Sequence, residues 1–76
     1  MTESERLEAL LNWHDDLSDS GAAVITTSTR RGITHVVIIE TEGWASVVTV
    51  AERGIAAALL VAYLRWGAWT RQKAAA

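Results

Sequence analysis

Leu7, Leu10, Leu11, His14 and Leu17 recur at intervals of three and four and draw one apolar stripe along an otherwise acidic segment. That spacing is the mark of a helix with one side buried. Thr2 and Glu5 ahead of the stripe match a capping box, and Ser20-Gly21 behind it offers a left-handed stop. The pattern predicts a helix over about residues 3–19. From Ala22 to Val48 the period changes. Val, Ile and Thr dominate there, as they do in pleated structure. Thr29-Arg30-Arg31-Gly32 and Thr41-Glu42-Gly43 read as tight hairpin loops, each ending in a glycine with positive φ. Three strands are predicted, over about 23–29, 33–40 and 44–48. Thr49-Val50-Ala51-Glu52 repeats the capping-box pattern, so a second helix is expected from about residue 50 to about 72. The predicted fold class is α+β, in the order α-β-β-β-α, with a three-stranded antiparallel meander and both helices on one face of it. The chain is read as a single domain, 1–76.

Two helices cover only one face of such a sheet well, and the middle strand conflicts with that arrangement. In His35-Val36-Val37-Ile38-Ile39-Glu40 alternate side chains face opposite sides, so Val36 and Ile38 point one way and Val37 and Ile39 the other. Both faces are apolar. Either the outer face tolerates a few surface aliphatics, or another chain covers it. Burying Val37 and Ile39 against a partner would contribute ~3–6 kcal/mol per protomer. The second helix is uncharged from Gly54 to Leu64. Gly54, Ala58 and Ala62 form a shallow ridge there, suited to close approach by the protein's own sheet or by a second copy. Four tryptophans serve an 8.3 kDa chain. Trp13 borders the apolar stripe and is expected in the core, whereas Trp44, Trp66 and Trp69 are expected at an interface, where Trp is enriched. The expected interaction set is therefore Val37, Ile39, Trp44, Ala58, Ala62, Trp66 and Trp69.

Composition narrows the chemistry. The 76 residues include no Cys and no Pro. Disulfides, thiolate metal sites and Cys nucleophiles are excluded, and no metal site and no cofactor is expected. His14 sits mid-stripe among leucines and reads as a mostly buried neutral ring or, at an interface, as a pH switch. His14, Asp15 and Asp16 are adjacent, and adjacent helical side chains point apart. His35 has no evident nucleophile or oxyanion donor beside it, so no catalytic residue is assigned and the protein is not read as an enzyme. Charge is uneven. The first twenty residues carry Glu3, Glu5, Glu8, Asp15, Asp16 and Asp19 against Arg6 alone; the remainder carries Arg30, Arg31, Arg53, Arg65, Arg71 and Lys73 against Glu40, Glu42 and Glu52. The longest apolar run, Gly54–Leu64, is short of the ~20 residues of a membrane span, so no membrane partner is expected. The polar, acidic opening does not read as a secretion signal, and a cytoplasmic location is expected. Ala74-Ala75-Ala76 is given no functional weight.

The run Thr49-Val50-Ala51-Glu52-Arg53-Gly54-Ile55-Ala56-Ala57-Ala58-Leu59, together with the α-β-β-β-α order, resembles the double-stranded-RNA-binding domain. The resemblance implies that fold, with the run opening the second helix. The family's RNA-contact residues do not carry over. Its lysine cluster would fall on Val50, Ala51 and Gly54, leaving Arg53 as the one base in that turn. Its Gly-Pro-x-His loop is replaced by Arg30-Arg31, and its RNA-facing first helix is here acidic. Phosphate attraction supplies most affinity for duplex RNA. The expected function is accordingly a small regulatory or interaction module, working as a homodimer or by binding another protein. The alternative is a divergent nucleic-acid binder using Arg30, Arg31 and Arg53, with Arg65, Arg71 and Lys73 in support.

Overall fold

The computed structural model describes residues 1–75; the last residue of the expected 1–76 domain, which ends the alanine tail, lies outside the described residues. Helix α1 spans Glu3–Ser20, strands β1, β2 and β3 span Ala23–Arg30, Ile33–Glu40 and Ala45–Arg53, and helix α2 spans Ile55–Ala75. The strands form one antiparallel sheet in the order β1-β2-β3. This is the α+β architecture expected, and its topology agrees with that of the double-stranded-RNA-binding domain.

Helix α1 starts as its capping box dictates. The Glu5 amide donates to Thr2 Oγ1 and the Thr2 amide donates to Glu5 Oε1, both at 3.1 Å. The bond from the Thr2 amide, and then the Thr2 hydroxyl beside it, hold the Glu5 carboxyl below its ordinary range. Leu10 and Leu17 of the stripe are buried, Leu7 and Trp13 pack against the core, and Leu11 is left exposed.

The β1–β2 loop has two residues, Arg31 and Gly32, both with positive φ, the turn whose twist matches that of paired strands. The β2–β3 turn is built differently from the expectation. Trp44, not Gly43, takes the positive φ there. The turn is organised by the buried Glu40 carboxylate, which accepts the Glu42 amide at 2.8 Å and the Gly43 amide at 2.7 Å. A Cβ on residue 43 would lie 2.8 Å from Glu40 Oε1, so a side chain there would push the carboxylate off the amides it accepts. Thr41 ties this turn to the α1–β1 link through its amide to Ala22 O and its hydroxyl to Gly21 O.

The second helix begins five residues later than the capping-box pattern suggests. Residues 49–53 are strand, so the run that resembles the RNA-binding family's helix opening lies partly in β3. The reason is pairing. Val50 faces Val36 across the sheet and fills the core, and Ala51 and Glu52 pair with His35 and Thr34. These ladder bonds outweigh a local capping signal that offers no core burial. The strand stops at Gly54, whose φ of 87° a residue with a side chain adopts at a cost. Its carbonyl accepts the Ala58 amide, the first turn of α2.

Both helices lie on the same face of the sheet, α1 against β1 and α2 against β2 and β3. Between them and the sheet sit Ile25, Val36, Ile38, Val48, Val50 and Leu59. A bulge at Ile38/Ile39 adds Val47 to the partly buried side chains around that core. Substituting Glu40 by Ala should lower stability by about 2 kcal/mol, because two backbone amides lose a charged acceptor. Urea unfolding that leaves the midpoint unchanged would show that this carboxylate does not hold the turn.

Candidate interaction surfaces

Among the described residues, alternation along the strands leaves one sheet face without a covering element. Cross-strand pairing sorts that face into rows: Arg30, Ile33 and Arg53; Ser28, His35 and Ala51; Thr26, Val37 and Thr49; Val24, Ile39 and Ser46. Val37, Ile39 and Ile33 are half-buried by their neighbours alone, and Val24 is 43 % exposed. The face is thus apolar along its middle, hydroxyl-rich at its sides and basic at one end. Arg53, distant in sequence, joins the adjacent Arg30 and Arg31 at that end, where the Gly54 amide bonds to the Gly32 carbonyl. His35 is exposed beside Arg30, Arg31 and Ile33 in a shallow depression.

The second surface is the outer side of α2. Leu60, Tyr63 and Leu64 are 36 %, 47 % and 58 % exposed. They lie across the helix from Ala58, Leu59 and Ala62, which are fully buried. Ala58 and Ala62 therefore do not belong to an interface with another chain. Their small side chains let α2 approach its own sheet, the first of the two placements that the ridge allowed. The surface aliphatics at Leu60 and Leu64 were the part that sequence reasoning missed. The signal was present: Ala57, Leu60, Leu64 and Ala68 repeat at three and four, opposite the alanine ridge. Tyr63 meets Trp13 edge to face, with ring centroids 5.3 Å apart, which fixes α1 alongside α2. The first turns of the two helices are neighbours as well, because Glu3, Ser4 and Leu7 share a groove with Ala56, Ala57 and Leu60. The helices run parallel.

The third surface is a cleft of about 590 Å³ between the end of α2 and the β2–β3 turn, lined in part by Trp66, Trp69, Glu40, Glu42 and Lys73. Trp66 and Trp69 stack with centroids 5.1 Å apart, and both are half-buried. Lys73 lies over the Trp69 ring, 5.1 Å from its centre, and pairs with Glu42. Trp44 stands apart on the turn, 69 % exposed. The expected aromatic set is therefore split, with Trp66 and Trp69 lining one cleft and Trp44 free.

His14 is half-buried, and its Nδ1 lies 3.5 Å from the Asp15 carboxylate. The two adjacent side chains converge where helical geometry predicts divergence. Among the described residues no helix is long and apolar enough to cross a membrane. No protein family, no curated protein and no solved structure matches the chain.

The Lys73 hydrogen bond, and then its charge, hold the Glu42 carboxyl below its ordinary range, and the same hydrogen bond raises Lys73. The pair's contribution is present above the ordinary carboxylate range and fades as pH falls through the depressed Glu42 value. At the other end it fades as pH rises through the raised Lys73 value. In Lys73→Met the Glu42 titration, followed by NMR, should return to the ordinary range. An unmoved titration would mean that the pair does not form in solution.

Proposed function

We propose that this protein is a small non-enzymatic interaction or regulatory module that acts by homodimerisation or by binding another protein. The observation that carries the reading is the apolar surface a single copy leaves open: Val37 and Ile39 on the uncovered sheet face, and Leu60 and Leu64 on the outer side of α2. Leu60 and Leu64 are exposed one turn apart, Val37 and Ile39 half-buried, and apolar surface left open in this way marks interaction sites. Trp44, with Trp66 and Trp69 at the adjoining cleft, supplies large rigid contact area. The acidic outer side of α1 sets charge selectivity around these patches. In this reading His14, beside Asp15, and His35, beside Arg30 and Arg31, serve as structural or surface groups.

The convergence of Arg30, Arg31 and Arg53 favours a second reading, a divergent nucleic-acid-binding domain of the double-stranded-RNA-binding type. Glu3, Glu8 and the three aspartates of α1 oppose it by repelling phosphate.

Light scattering across a dilution series should give twice the 8.3 kDa chain mass at micromolar concentration, with duplex RNA and DNA unbound at low salt. A constant monomer mass would remove the homodimer. Nucleic-acid binding that falls steeply with salt would replace the first reading with the second.

A further inference from the structure

The outer side of α2 is ordered along its length in a way that suits a second copy of itself. Large side chains, Leu60 and Leu64, occupy its first half, and small ones, Gly67 and Ala68, its second. Around Gly67 a depression of about 130 Å³ is lined by Tyr63, Leu64, Trp66 and Arg71. Beyond the small residues stands the exposed Arg71, whose guanidinium lies back over Gly67. At the opposite end of the stripe, Glu3 of α1 borders Ala56 and Ala57. Among the described residues neither Arg71 nor Glu3 has an ion-pair partner.

We propose that two copies of the chain pair through this side of α2, antiparallel, about a two-fold axis near Leu64. The proposal rests on the self-association reading above and specifies its surface. With that axis, Leu64 meets Leu64 of the second copy, and Leu60 lies over Ala68 beside the depression at Gly67. Arg71 swings out over Ala57 of the second copy and reaches its Glu3. Each contact occurs twice, as an isologous interface requires. A parallel pairing would instead set leucine on leucine along the first half and Arg71 on Arg71. The open sheet face lacks this self-complementarity. Its rows hold Arg30 and Arg53 and no carboxylate, so a second copy stacked there finds no counter-charge.

Sedimentation equilibrium of the full chain tests the arrangement, with circular dichroism to confirm that each variant is folded. Leu64 and Arg71 are exposed, so their substitution leaves the core intact. Leu64→Glu and Arg71→Glu should each weaken the dimer by about tenfold or more. Glu3→Lys combined with Arg71→Glu should recover most of the affinity lost by Arg71→Glu alone, which a merely structural role for either residue would not produce. A dimer indifferent to Leu64→Glu, or one broken by Val37→Glu instead, overturns this interface and leaves self-association standing. A double variant no tighter than Arg71→Glu overturns the antiparallel pairing. A folded wild-type monomer at all concentrations overturns both the interface and self-association.

Discussion

One residue separates the sheet from the helix that covers most of it. Strand β3 ends at Arg53 and α2 begins at Ile55, so Gly54 alone turns the chain back over the strands it has just completed. With so little slack at that link, α2 stays beside β3 and packs over β3 and β2. The link between α1 and β1 is nearly as short, residues 21–22, and sets α1 over β1 on the same side. The short links keep each helix beside the strand it joins, and the apolar row of Ile25, Val36, Ile38, Val48 and Val50 draws both helices to one face. The middle strand, apolar on both faces, is left with one of them bare.

The surface chemistry follows from that one-sided arrangement. On the covered side, alanines at 58 and 62 let α2 sit close to the sheet, so its leucines divide between inside and outside: Leu59 is enclosed, and Leu60 and Leu64 are not. On the bare side, β-branched and hydroxyl side chains shield one another only in part. A chain this short has little interior to spend on polar groups. Yet it buries the Glu40 carboxylate and the Thr34 hydroxyl, each with hydrogen-bond partners. Those partners make the burial tolerable and fix the geometry of the turn and of the sheet end.

The parts of the fold legible from sequence were those with a local period. The Leu7–Leu17 stripe, its capping box and the alternation in β2 each declare their element within a few residues. The start of α2 was not legible, because Thr49-Val50-Ala51-Glu52 carries a true helix-start pattern whose meaning is overridden by pairing with residues 34–36. The Gly43 conformation was missed for a related reason. The glycine leaves room for the Glu40 carboxylate, a contact that no turn rule anticipates. At the candidate surfaces, Val37 and Ile39 could be placed by alternation alone. Ala58 and Ala62 could not be assigned to their own sheet or to a partner, because an alanine ridge suits either. The pairing of Glu42 with Lys73 joins residues 31 apart and left no trace in the sequence.

The parallel run of the two helices has an electrostatic consequence. Aligned side by side, they bring two partially positive amino-terminal ends to the same corner of the molecule, an arrangement of like poles that works against association. The first turn of α2 has no acidic residue to offset its own pole, whereas that of α1 has Glu3 and Glu5. The carboxylates crowding the start of α1 thereby act as a common counter-charge for both helices, and the acidity of that segment becomes part of what lets the helices lie together.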